Sequence, residues 1–290
     1  MNTESLDENF KELDRWPIPY ALAQLLRAQQ VAIAGLQPAL PPLAALVEAA
    51  LPGLRKNGRI IYIGAGTSAR IAMMDAAELA PTFSWPQERA LCVTAGGEAA
   101  YIRAQEGAED NTQDAIIQMQ ALGITPHDLV VGITASGTTP FVVAALEFAR
   151  RKTDICAAII DRQTSAHDIP YILPTNASPE PIAGSTRFKS GTAQKTLLNL
   201  LSSTLMIQLG HVYQGRMIKM RPSNDKLHRR ACKIVAELGE VEPTKAKMLL
   251  QASDNDIALA IILAKGLERE HAKTLLQDHD HSLAQALAAL

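Results

Sequence analysis

Aromatic residues are scarce, at 4% of the 290 positions, and cysteine occurs only three times. Few aromatics beside abundant alanine argue against a β-sandwich and favour helices packed on a sheet. Cys92, Cys156 and Cys232 stand far apart and match no metal-ligand spacing; so odd and sparse a set predicts reduced thiols in a cytoplasmic protein. The formal charge of −2 supplies no field for nucleic acid or an anionic membrane. No apolar run is expected to span a bilayer, because the best candidate, 21–54, is interrupted by Arg27, Gln29, Gln30, Pro38, Pro41 and Pro42. The acidic, polar N-terminal stretch lacks a signal-peptide pattern. No Gly-Lys-Ser/Thr follows a glycine loop, which excludes a P-loop.

The chain is organised around residues 59–81. Residues 59–63 form a short run rich in β-branched side chains, ended by Gly64. Gly64-Ala65-Gly66-Thr67-Ser68 then opens a helix expected over 69–79 and stopped by Pro81. The first helical N–H groups lack partners and the dipole is positive there, so the loop suits an anion. Strand-like runs recur at 90–94, 129–134, 155–160 and 171–173, alternating with helical patterns. The run at 129–134 opens into Ser136-Gly137-Thr138-Thr139-Pro140, repeating the first design, with Thr139 a candidate N-cap and Pro140 at N1. The strands are apolar on both faces, as in a covered parallel sheet, and the expected fold is doubly wound α/β. Helices are also expected at 19–36, 41–54, 111–121, 193–209 and 225–238, with a hinge at 221–224 and short helices beyond 240.

Gly64-x-Gly66-x-x-Ala69 also fits a dinucleotide fingerprint, but the next strand ends in Val93-Thr94-Ala95 without the acid that would hold a ribose. Two hydroxyl-rich loops after separate strands favour a phosphate ester, against the alternative that Thr67, Ser68, Ser136, Thr138 and Thr139 only cap helices. Neither loop carries Lys or Arg, which suits a phosphomonoester more than a polyphosphate with its metal. Among the carboxylates, Glu78 and Glu109 stand at helix ends where solvated or dipole-favoured acids are common, and Glu98 and Glu106 have equal claim on these grounds. His279-Asp280-His281 lacks a third ligand and diverges on a helix. Arg229 and Arg230 with Lys226 and Lys233 suit a solvated helix face.

Taken together, GAGTSAR (64–70), DAAELAPT (75–82), AGGE (95–98), EGAED (106–110), VVGITASGTTPFV (130–142), GSTRFKSGTAQK (184–195) and SNDKLHRR (223–230) resemble the N-acetylmuramic acid 6-phosphate etherases of the sugar isomerase (SIS) superfamily. The resemblance runs through most of the chain. It implies a three-layer αβα sandwich with a parallel five-stranded sheet, preceded by N-terminal helices (1–49) and spanning 50–215. A connecting helix (216–239) and a small ubiquitin-associated-like helical domain (240–290) would follow. It implies a homodimer with sites near the subunit interface, no metal or organic cofactor, and no nucleic-acid or membrane partner. The implied reaction is cleavage of the D-lactyl ether by elimination and hydration, leaving N-acetylglucosamine 6-phosphate, in the recycling of cell-wall amino sugars. By motif, Glu78 corresponds to the proton donor and Glu109 to the second catalytic carboxylate, here assigned as base. A buried setting is expected for Glu78, after an apolar helix, since burial keeps a carboxyl protonated. Phosphate and sugar contacts are expected from Gly66, Thr67, Ser68, Ser136, Gly137, Thr138, Thr139, Ser185, Thr186, Arg187 and Lys195. The competing functions are an aldose–ketose isomerase on a sugar phosphate and a non-catalytic sugar-phosphate sensor. Three departures bear on affinity and substrate. Ala69 replaces the family's usual Gly, Thr139 stands where many members have Arg, and Thr3-Glu4 is kept without the Asn-Pro pattern after it.

Overall fold

The computed structural model describes residues 3–161, 168–222 and 224–290. The chain divides into two compact units: Met1–Ala77 with Gln87–Ser202, and Glu78–Pro86 with Ser203–Leu290.

The first unit contains β1 (Ile60–Gly64), β2 (Ala90–Thr94), β3 (Leu129–Ile133), β4 (Cys156–Ile160) and β5 (Tyr171–Pro174) in the order β2-β1-β3-β4-β5. Every neighbouring pair is parallel. The expected α/β class with a five-stranded parallel sheet is therefore met. β1, β3 and β4 are buried along their whole length, so continuous apolar runs stand where an alternating pattern would leave one face in water.

The helices here are α1 (Ile18–Ala34), α2 (Leu40–Arg55), α3 (Gly66–Phe83), α4 (Ala99–Ile102), α5 (Thr112–Leu122), α6 (Pro140–Arg150) and α7 (Lys189–Gln208), the third and last continuing into the second unit. Ile61, Ile63 and Val130 share a core with Ala115 and Met119 of α5 and Phe141, Val142 and Leu146 of α6. Burying each such large side chain contributes about 1.5–3 kcal/mol. From β1, Tyr62 turns instead to α3: its hydroxyl donates to the buried Asp75 carboxylate at 2.8 Å. Asp75 also accepts from Asn199 (2.7 Å) and Ser202 (3.0 Å) of α7, so one carboxylate ties a strand to two helices. Burial, with Asp75 beside it, raises the Tyr62 pKa well above its ordinary value.

Two local expectations are corrected. α3 does not stop at Pro81 but continues to Phe83. Proline costs a helix most in its interior; close to the end its missing N–H removes little, and Ser84 N–H donates to Ala80 O at 2.9 Å to finish the turn. The membrane expectation is also revised. Ile18–Arg55, comprising α1 and α2, is long and apolar enough to cross a bilayer by length and composition. α2 nevertheless buries Leu43, Leu46, Val47 and Leu54 within the unit, and such a core helix passes the same test.

The second unit contains α8 (Asp225–Gly239), α9 (Pro243–Ala252), α10 (Ile257–Ala264), α11 (Arg269–Asp278) and α12 (Leu283–Ala288). α10 is buried from Ile257 through Ile262 and forms the centre of a core with Ile234, Val235, Leu250, Leu276 and Leu283. Asn224, Asp256 and Ser282 cap α8, α10 and α12. A short antiparallel hairpin, Val212–Tyr213 with Arg216–Met217, turns through Gln214 and Gly215, both at positive φ; two-residue strands leave no periodicity to detect. The hinge expected at 221–224 includes Ser223, which lies outside the described residues.

Candidate active site

β1 pairs with strands on both sides whose connections run in opposite directions, the switch point at which doubly wound sheets open a crevice. Gly64 is level with Ile133, so the loops leaving β1 and β3 start side by side. Gly64 must lack a side chain: a Cβ there would lie 2.8 Å from the backbone N of Ala69, because the chain folds straight back into α3. Gly64→Ala is expected to displace this loop and raise KM for a phosphate ester with a smaller change in kcat, which steady-state kinetics would check.

A cavity of about 390 Å³ opens at this point. Gly66, Thr67 and Ser68 line it from the start of α3, Ser136, Thr138 and Thr139 from the loop after β3, Thr186 from the segment before α7, and Glu109 from the 3-10 turn Ala108–Asp110. Four elements far apart in sequence thus bring together eight of the expected site residues. Gly137, Ser185, Arg187 and Lys195 do not line it; Arg187 and Lys195 are exposed. Among the described residues no lysine or arginine lines this cavity.

The hydroxyls are not equally free to meet a ligand. Ser68 is buried and donates to Gln194 Oε1 of α7 at 3.0 Å. Thr139 occupies the N-cap position of α6, but its hydroxyl pairs with Thr134 Oγ1 at 2.7 Å and caps nothing, correcting the expectation. Ser136 Oγ accepts from the Thr138 N–H and hydroxyl, each at 3.2 Å, so this loop is held by its own side chains while Ser136 and Thr138 stay exposed. The first turn of α3 adds backbone N–H groups without helical partners.

The carboxylates separate by position. Glu109 lines this cavity and an adjoining one of about 350 Å³ that also contains Glu106 and Arg70. Glu98 lines neither. Glu78 lies in the other unit and is exposed, so the expectation of a buried carboxyl is not met in the single chain. The reason is helical phase: Ala72, Asp75, Ala76 and Leu79 make the buried stripe of α3, and Glu78 falls beside it. The expected site residues did not include Thr3, Glu4, Asp110, Thr134 and Gln194, although Thr3-Glu4 stood out as a retained motif. The GTAQK motif held a signal for Gln194, since it stands one position before Lys195. Among the described residues no group of three or more His, Cys, Asp or Glu is arranged to hold a metal ion.

Residues 42–150 match the family model for the N-terminal SIS domain of glucokinase regulatory protein. An N-acetylmuramic acid 6-phosphate etherase of Enterococcus faecalis is 37% identical over 99% of this chain and 97% of its own length. That of Deinococcus radiodurans is 39% identical over 95% and 91%. That of Serratia proteamaculans is 41% identical over 86% and 84%. Among solved structures, a Bacteroides fragilis protein described as a candidate phosphosugar isomerase involved in capsule formation aligns over 69% of this chain and 95% of its own, with 18% identity and a TM-score of 0.51, which concerns the fold alone. With identities of this size over nearly full length, the chain belongs to the N-acetylmuramic acid 6-phosphate etherase family.

Proposed function

We propose that the protein is a carbon–oxygen lyase that cleaves the D-lactyl ether of N-acetylmuramic acid 6-phosphate, giving N-acetylglucosamine 6-phosphate and D-lactate. The observation that carries this reading is the presence of Glu109 in one cavity with both hydroxyl-rich loops. The loops take the phosphate, remote from the bond that breaks, and so orient the sugar. Ring opening exposes an aldehyde at C1, which acidifies the proton on C2. Glu109 accepts that proton and the C3–O bond breaks as the C2–C3 double bond forms; the departing lactate oxygen takes a proton from an acid, the role that the motif match gives Glu78, which in the single chain lies exposed and outside this cavity. Water then adds across the unsaturated aldehyde. Incubation of the purified chain with N-acetylmuramic acid 6-phosphate should release D-lactate; absence of lactate with sugar-phosphate binding intact would point to a sensor instead.

A homodimer belongs to the same proposal. α1 leaves Ile18, Leu22 and Leu26 exposed at 77%, 63% and 62%, a stripe that a second copy would cover. The double variant Leu22→Glu/Leu26→Glu is expected to sediment at half the mass of the wild type; a wild type that sediments as a monomer would remove this part. A cytoplasmic setting, serving cell-wall sugar recycling, suits the three free cysteines. Burial pushes the Cys92 and Cys156 thiols up to about 12, which keeps them protonated and unreactive.

A further inference from the structure

We infer that Glu4, carried by the N-terminal arm, contacts the sugar part of the substrate and sets which way round the ligand lies. The inference rests on the sugar-phosphate reading of the cavity. Thr3 is buried, and its carbonyl accepts from the Gly184 N–H at 2.9 Å, so the arm is pinned to the loop that supplies Thr186. Glu4 lines the same cavity as Thr67, Ser136, Thr138 and Thr186. The loop lies against its carboxylate: a Cβ on Gly184 would stand 3.0 Å from Glu4 Oε2. Glycine at 184 answers the left-handed backbone, with φ of +76°. The Thr3 hydroxyl donates to Glu4 Oε1 at 3.5 Å.

The lining thus carries two chemistries. Hydroxyls and the first N–H groups of α3 donate hydrogen bonds and suit a phosphate. A carboxylate accepts only, and it repels phosphate. Its natural partners are donors, such as sugar hydroxyls and an acetamido N–H. By attracting the sugar and repelling the phosphate, Glu4 excludes the reversed pose, in which the phosphate would stand against the arm.

The test is calorimetric titration of the full-length wild type, Glu4→Ala and Glu4→Gln with two ligands, N-acetylglucosamine 6-phosphate and inorganic phosphate. Glu4→Ala is expected to weaken the sugar phosphate about tenfold or more, the effect of losing a charged acceptor, while inorganic phosphate binds as before or more tightly. Glu4→Gln, which keeps a carbonyl acceptor, should fall between. Equal weakening of both ligands would mean that the arm only supports the loop, and no weakening would mean that Glu4 touches nothing; either result overturns the inference. Lactate release by the wild type reports separately on the etherase reading. If no lactate forms but Glu4→Ala still loses the sugar phosphate selectively, that reading falls and the role of Glu4 stands.

Discussion

Glu109→Gln is expected to lower D-lactate release by about 10²–10⁴-fold, the range that a positioned proton-transfer group supplies. The amide keeps the size and the hydrogen-bonding reach of the side chain but cannot take a proton. Binding of N-acetylglucosamine 6-phosphate should survive, because the hydroxyl loops that would take the phosphate are built from β1, β3 and the starts of α3 and α6, independently of the 3-10 turn that carries Glu109. The variant is also expected to lose exchange of the C2 hydrogen with deuterated solvent, which NMR of the sugar would follow. Glu78→Ala should behave differently: no lactate, yet deuterium still entering C2, since removal of that proton precedes departure of the lactate oxygen. If Glu78→Ala alone abolished C2 exchange, the acid and the base would have to be interchanged. Loss of both activities together with loss of ligand binding in Glu109→Gln would instead make that residue a binding group.

Asp128→Ala is expected to cost about 3–5 kcal/mol of stability, the usual result of breaking a buried ion pair from one side. Asp128 is 1% exposed and sits at the opposite end of the sheet from the cavity, just before β3. Its carboxylate accepts from the Arg59 N–H (2.8 Å), Arg59 Nε (3.1 Å), Arg59 Nη2 (2.7 Å) and the Thr125 N–H (2.8 Å). The same guanidinium donates to Leu122 O and Gly123 O, closing the end of α5 onto the start of β1. Without the carboxylate, the guanidinium keeps two carbonyl acceptors but loses its counter-charge, and two backbone N–H groups lose their acceptor. Burial by itself would raise the Asp128 pKa, but the hydrogen bonds from Arg59 and the Thr125 backbone outweigh it and hold the carboxyl below its ordinary value. A depressed carboxyl stabilises fully above the unfolded value of about 3.9 and loses that contribution as pH falls through the folded one. Urea melts should therefore show a loss of wild-type stability below about pH 4 that Asp128→Asn lacks. At neutral pH, KM and kcat of the folded variant should match the wild type, because the pair lies at the amino ends of the strands while the cavity opens at the carboxyl ends. A changed KM would show that the two ends are coupled.

The fold was largely readable from residue patterns. Continuous apolar runs of about the length of a strand, each followed by a glycine or hydroxyl loop and a helical pattern, mark a parallel sheet because only strands buried on both faces tolerate such runs. β2 has the predicted bounds, 90–94, and α9 (Pro243–Ala252) is one of the short helices expected beyond 240. The misses are local. α3 runs through Pro81, since a proline near a helix end removes only one bond of the ladder. The hairpin in the second unit is too short to carry a period.

The site divides in the same way. Its donors were legible because anion loops at helix starts need small residues and hydroxyls close together in sequence, and Gly66, Thr67, Ser136 and Thr138 satisfy that locally. Everything that depends on where separate segments meet was not. Glu109, Glu106 and Glu98 are equivalent by residue pattern, and the motif match alone singled out Glu109; the path of the chain after β2 brings it to the cavity and leaves Glu98 outside. The turn of α3 exposes Glu78 although its neighbours are apolar. Glu4 stands about sixty residues before the first loop, in an arm whose sequence does not say where it packs, and the Gly184 N–H holds that arm against the loop before α7 by donating to Thr3 O. Local sequence determined which segments are strands, helices and anion loops, because those depend on backbone sterics and on the spacing of apolar residues. Tertiary structure decided that Glu4 shares a cavity with the loops and that Glu78 does not, because side-chain direction and long-range chain path are properties of packing.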